Sequence, residues 1–266
     1  DTDEVVGKYV KKDSRFKYYH RPDEHLPGGN GARNYGFKMS QGQYIQWFDS
    51  DDLMLPEKLT LSVIEILNKK SQVIISNFKL STGEKKFIDI NDKKLLEYHI
   101  AYGTINTPMV FINVESLNGF LFNEKLYRAQ EFDFFIDFFD KVNHYSIIQD
   151  ITTIIRIHDN TITGDYLKGL SKNAINSTLF AKFKALKKSK QFNAETQKIA
   201  ANKFLSALWK SALFKYKTIF YAFLCRFLKF HNLKFYNIFL VLCYSISFFL
   251  FSKPYMKLKT KILNLQ

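Results

Sequence analysis

A strand of interior type that runs straight into three carboxylates constrains this 266-residue chain more than any other feature. Tyr44, Ile45, Gln46, Trp47 and Phe48 form an aromatic, β-branched run of the kind that fills the middle of a sheet. It leads directly into Asp49-Ser50-Asp51-Asp52. Like charges crowded at a strand end repel one another and need a counter-charge. In an α/β sheet the carboxyl ends of strands are where ligands bind, and an all-oxygen donor set suits a hard divalent cation such as Mg²⁺ or Mn²⁺. Asp and Ser after a strand are also ordinary turn and cap residues, so the flanking sequence has to decide.

Upstream, Gly28-Gly29-Asn30-Gly31-Ala32-Arg33-Asn34 reads as a turn that brings backbone close to a ligand, with a helix over 32–40 that Gly42 ends. Downstream, Pro56 opens a helix whose Leu59, Val63, Ile66 and Leu67 have core spacing. The strings N-G-A-R-N-x-G, G-x-Y-I-x-x-x-D-S-D-D and P-E-K-L closely resemble the middle of the family 2 glycosyltransferases of GT-A fold. The resemblance covers about residues 3 to 160. It implies an α/β fold, a Rossmann-like, mostly parallel sheet flanked by helices. It also implies a nucleotide diphosphate-sugar donor whose diphosphate sits with a divalent metal at the aspartate motif. Asp51 would be the principal metal ligand, with Asp49 supporting it and touching the ribose. Gly28, Gly29, Asn30, Gly31 and Arg33 would shape the donor pocket.

A second block, Phe120 to Leu126 followed by Arg128-Ala129-Gln130-Glu131-Phe132-Asp133, resembles the family's G-x-F-x-E-x-L segment and the acidic pair after it. The family usually has Glu-Asp there; this chain has Gln130-Glu131. The resemblance makes Glu131 the general base on the acceptor hydroxyl, with Asp133 as the fallback. A carboxylate at a helix N-terminus stays ionised because the dipole favours it, and an inverting transfer needs one such base. Capping is the ordinary use of Glu at that position. Arg156-Ile157-His158, with Asn160 and Thr161, resembles the closing motif that returns a His toward the diphosphate, so His158 joins the expected metal ligands.

Charge divides the chain. Residues 1–166 carry 20 Lys+Arg against 24 Asp+Glu, whereas residues 167–266 carry 19 Lys+Arg and only Glu195. The expected organisation is a glycosyltransferase domain over 1–166 and a helical, basic and hydrophobic region over 167–266. Basic helices are expected near 173–190 and 195–217, with Lys203, Lys210 and Lys217 at heptad spacing. Lysines alternating with Phe204, Leu208, Trp209 and Leu213 favour a membrane surface over nucleic acid as the partner. The nearly uncharged run 235–251 reads as an in-plane or re-entrant anchor. Cys225 and Cys243 form no disulfide framework or metal pattern, which fits a cytoplasmic protein peripheral or monotopic on the inner face of the cell membrane.

Asp1 to Val10 resembles the end of a family segment, so the first strands are expected to lie upstream of a truncated chain. Shorter elements are expected too: a helix over 3–12, a strand over Phe16–Tyr19, a strand over 73–80, a helix over 92–102, and a last strand pair within 142–158. The function expected is transfer of a sugar, with inversion and with a metal, to a glycan or lipid-linked hydroxyl acceptor in surface polysaccharide or glycolipid assembly. The competing readings are a nucleotidyltransferase on a similar sheet and a non-catalytic, membrane-bound binding protein.

Overall fold

In a computed structural model, residues 2–90, 93–157, 171–214 and 216–230 are described. Helices α1 (Thr2–Lys12) and α2 (Gly29–Met39) precede strands β1 (Tyr44–Ile45) and β2 (Leu53–Met54). Then come α3 (Lys58–Lys69), β3 (Val73–Leu80), β4 (Lys85–Lys86) and α4 (Leu95–Tyr102). A 3₁₀ turn at Thr107–Met109 leads to β5 (Val110–Asn113), α5 (Val114–Leu117), α6 (Gln130–Phe139) and β6 (Tyr145–Ile155). Three helices follow, α7 (Lys172–Ser189), α8 (Ala194–Leu213) and α9 (Lys217–Phe230).

The sheet order is β1-β5-β3-β6-β2, with β4 beside β3. The α/β class is as expected, but the sheet is not mostly parallel. Among the described strands only β3 and β6 pair in parallel; β5 runs against both β1 and β3, and β2 against β6. The reason lies in the route from β3 to β5. The chain turns back at Gly83, forms α4, and re-enters the sheet alongside the first residues of β3, running from Val110 opposite Ile75 to Ile112 opposite Val73. A strand that enters without a crossover must run antiparallel. β3 and β6 are joined through the helices, which supply that crossover. Where a last strand pair was expected within 142–158, the described residues form one strand, β6.

β3 is apolar on both faces because both are covered. Ile74 packs with Ile66 of α3, Phe111 and Ile148 on one side; Val73 and Ile75 join the large core on the other. Asn77 sits where the β3–β6 register shifts, donating to Gln149 O (2.8 Å) and accepting from Ile88 N (2.7 Å). The bulge therefore leaves no unmet amide there.

The large core is aromatic. Trp47 meets Phe122 and Phe134 edge-on, Phe122 stacks on Phe134 at 4.1 Å, and Phe135 stacks on Phe139 at 4.7 Å. This core continues without a break into α7, α8 and α9 through Leu179, Phe204, Leu208, Phe220 and Phe227. Polar ties reinforce the join. Lys184 Nζ donates to Asp133 Oδ1 (2.9 Å), Lys188 to Asp140 (2.6 Å), and Asn193 and Thr196 both donate to Glu97 Oε1 (2.9 and 2.7 Å).

Several expectations change as a result. Phe204, Leu208 and Trp209 are buried in the protein's own core, so they have no side chain left to insert into lipid. No helix among the described residues is long and apolar enough to cross a membrane. The 235–251 run and His158 lie outside the described residues. Phe16–Tyr19 forms no strand: its aromatic rings are exposed and, among the described residues, no strand runs alongside to complete a ladder.

Candidate functional site

The aspartate motif lies where the β1 segment leaves the sheet. The ladder ends at Ile45, and Gln46 to Phe48 continue extended into a turn at Ser50-Asp51. Gln46 Nε2 donates to Thr107 O (2.9 Å), which fixes this exit against the 3₁₀ turn before β5. Carboxylate oxygens of Asp49, Asp51 and Asp52 lie within 4.8 Å of one another. Arg156, at the end of β6, holds the turn from below: its guanidinium donates to the carbonyls of Ser50 (3.3 Å) and Asp51, and its N–H to Asp52 Oδ1 (3.1 Å). Burial raises the Asp52 carboxyl, Asp51 and Asp49 raise it further, and Arg156 opposes them. A donor set of three mutually repelling carboxylates fits a hard divalent cation.

The glycine-rich segment is the first turn of α2 itself, which starts at Gly29 and not at Ala32. Gly28 adopts φ 109°, a conformation that glycine takes without strain. At Gly31 a methyl would overlap Leu26 O, so the preceding loop crosses the helix at van der Waals closeness. Asn30 and Asn34 face inward: Asn30 donates to Asn123 O (2.7 Å), and Asn34 donates to Phe122 O and Glu124 Oε1 (both 2.9 Å). Asn30 is thus a dock for the 122–124 segment.

That docking leaves Arg33 at the centre. Its Nη2 donates to Asp49 Oδ1 at 2.7 Å and lies 3.8 Å from Glu131 Oε1; its Nη1 donates to Gln130 Oε1 at 3.3 Å. Trp47 Nε1 donates to Arg33 O (3.2 Å), locking the arginine to the strand exit. Two hollows meet at the Arg33–Asp49 pair. A smaller one, about 300 Å³, runs between Gly29, Gly36, Trp47 and Ser50. A larger one, about 560 Å³, extends past Glu131 to Tyr102, Asn106, Lys182 and Lys203.

Glu131 lies in the first turn of α6 and accepts from both the N–H (3.2 Å) and the hydroxyl of Thr107. Burial raises its carboxyl, Arg33 and Thr107 pull it back, and Asp49 adds to the rise. Such a carboxylate is a better proton acceptor than a free Glu. Asp133 is two residues on, about 200° around the helix. It is buried against Lys184, away from the hollow that Glu131 lines. The structure therefore brings together Gly29, Arg33, Asp49, Asp51 and Glu131, and leaves Asn30 and Asp133 outside the group.

Four contributors, Asp52, Thr107, Lys182 and Lys203, received no site role from the sequence. Asp52 was visible in the motif itself. Thr107 lies beside a strand that the sequence marks, but its service to Glu131 is a contact across 24 positions. Lys182 and Lys203 belong to helices whose basic character was legible, while the surface they face was not.

Residues 1–129 match the family model described as Glycosyl transferase family 2. An uncharacterized glycosyltransferase of Rickettsia bellii is 44% identical over 63 residues, 24% of this chain and 9% of that one. The uncharacterized glycosyltransferase MJ1057 of Methanocaldococcus jannaschii is 22% identical over 182 residues, 66% of this chain and 61% of that one. The UDP-Glc:alpha-D-GlcNAc-diphosphoundecaprenol beta-1,3-glucosyltransferase WfgD of Escherichia coli is 31% identical over 68 residues, 26% of this chain and 26% of that one.

 The chain thus spans less than two thirds of the length of each of these relatives. Among solved structures, that of S. aureus TarS 1-349 in complex with UDP-GlcNAc aligns with a TM-score of 0.56 at 16% identity, covering 79% of this chain and 68% of that one. At that identity the likeness is one of fold. With the motif geometry, the family match and the fold in agreement, residues 1–129 belong to glycosyl transferase family 2.

Proposed function

We propose that this protein transfers a sugar from a nucleotide diphosphate-sugar to a hydroxyl acceptor, with inversion at the anomeric carbon. The observation that carries the reading is the position of Arg33, which stands between Asp49 at the strand exit and Glu131 at the start of α6. One guanidinium thereby joins a carboxylate cluster suited to a cation and a carboxylate suited to a base. The nucleotide-sugar is supported by the family and by the UDP-GlcNAc named for the TarS complex.

In this reading Asp49, Asp51 and Asp52 hold a divalent cation, which when bound supplies charge neutralisation for a diphosphate leaving group. Gly29 and the smaller hollow admit the donor. Arg33 keeps Asp49 in place and moderates the charge of Glu131. Thr107 orients the Glu131 carboxylate, which accepts the proton of the acceptor hydroxyl as that oxygen attacks the sugar. Acceptors then enter through the larger hollow. The products are a glycosylated acceptor and a nucleoside diphosphate, as expected of surface polysaccharide or glycolipid assembly.

We also propose that the chain works at the inner face of a membrane. Support comes from residues 231–266, which carry five lysines and no Asp or Glu beside long apolar runs. Fractionation of the full chain tests this: recovery in the low-salt soluble fraction without detergent rejects it. The transferase reading is tested with a panel of nucleotide-sugars and Mn²⁺. Glu131→Gln is expected to abolish transfer and to leave UDP affinity within about threefold. Equal loss of both would place Glu131 in the donor site and overturn its role as base.

A further inference from the structure

The larger hollow is unevenly charged. Its two lining carboxylates, Asp49 and Glu131, are both engaged by Arg33 at one end. At the other end Lys182 of α7 and Lys203 of α8 line the wall, with Arg128 close by. Lys182 makes no hydrogen bond or ion pair among the described residues. The charges acting on it are Lys203, Arg128 and Lys210, all cations, and burial together with them holds its ammonium down to about 8. Lys203, partly buried, reaches a single carbonyl, Ile100 O, at 3.4 Å. Two helices packed together for their apolar faces thus press like charges into a cavity, an arrangement that costs free energy unless an anion enters.

Building on the glycosyltransferase reading, we propose that Lys182 and Lys203 bind a phosphate or diphosphate group carried by the acceptor. The donor diphosphate belongs at the opposite end, with the aspartates. An anion between Lys182 and Lys203 would place the remainder of the acceptor along the wall that leads to Glu131. The two lysines come from the basic half of the chain and the base from the acidic half, so both halves build one acceptor cleft. Phosphate chemistry fits two sources, a lipid diphosphate and a phosphodiester polymer.

The test is calorimetric titration of the full chain, saturated with UDP and Mn²⁺ so that the donor end is occupied. The probes are farnesyl diphosphate, farnesol and a glycerol phosphate trimer. Farnesyl diphosphate or the trimer is expected to bind at least tenfold more tightly than farnesol, and whichever does so identifies the source. In the Lys182→Gln/Lys203→Gln double variant that advantage is expected to fall about tenfold to a hundredfold, while the Arg/Arg double variant retains it within about threefold. Should the Gln variant fail to fold, the wild-type protein still decides: binding must weaken between 50 mM and 300 mM salt, as charge pairing requires. If UDP binds and the phosphorylated probes show no advantage over farnesol, the proposal is overturned and the transferase reading stands. If UDP itself fails to bind, that reading falls and this one with it.

Discussion

Arg33 Nη2 lies 2.7 Å from Asp49 Oδ1, a contact that ties the first turns of α2 to the exit of the β1 strand. Its second nitrogen reaches Gln130, so one planar group fixes three elements at once. A lysine has the charge but lacks the fork. Arg33→Lys is expected to lower kcat/KM at least tenfold with a change in Tm of only a few degrees. Measuring both decides whether the geometry or the charge matters.

The pH profile of transfer follows from the raised Glu131 carboxyl. The base acts ionised, so activity is lost as pH falls through its raised value. The acid limb of kcat/KM is expected above the ordinary glutamate range of about 4.3. Arg33→Met removes the nearest opposing cation and should move that limb higher still, if measurable activity survives.

At the aspartate motif, removing one charge should weaken the cation and leave the fold intact. Asp51→Asn is expected to reduce Mn²⁺-dependent UDP affinity at least tenfold with Tm nearly unchanged, since Asp51 is exposed. EDTA should bring wild type to the same level. Undiminished turnover in excess EDTA would refute the metal reading.

Lys58 is fully buried, donating to Ser76 Oγ (2.9 Å) and Thr152 Oγ1 (3.2 Å), and burial lowers its ammonium to about 7. The unfolded chain holds this proton up to about pH 10.4, so between pH 7 and 10 the unfolded state binds more protons. Stability from this group therefore rises with pH across that window, by about 1.4 kcal/mol per unit at most. Lys58→Met should flatten that part of the profile and stabilise the protein at pH 7, as denaturant melts at several pH values would show.

Gly31→Ala places a methyl against Leu26 O. Backbone has little room to give, so a loss of about 1–3 kcal/mol is expected from urea unfolding. Gly36→Ala in the same helix meets nothing within 4 Å and should stabilise slightly.

What the sequence disclosed was local. The strand exit, the carboxylate cluster and the first turn of α6 each occupy a few consecutive residues whose chemistry declares itself. The glycines misled about where α2 begins because glycine signals a turn and a close helix contact equally well; Leu26 O decides between them. The antiparallel entry of β5 depends on which end of β3 the chain returns to, which no spacing records. Lys203 at heptad spacing defined a helix face, and only packing against α4 and α7 showed that the face borders a cavity.

The continuous aromatic core also has a consequence for synthesis. Phe135, Phe138 and Phe139 leave the ribosome about 90 residues before Phe227 and Leu228, with which they share that core. At about 5–20 residues per second that interval lasts roughly 4–18 s. Once β6 has followed, and until α7 to α9 emerge, a nascent chain holds a completed sheet whose phenylalanine-rich side has no cover, the period in which a chaperone has the most to bind.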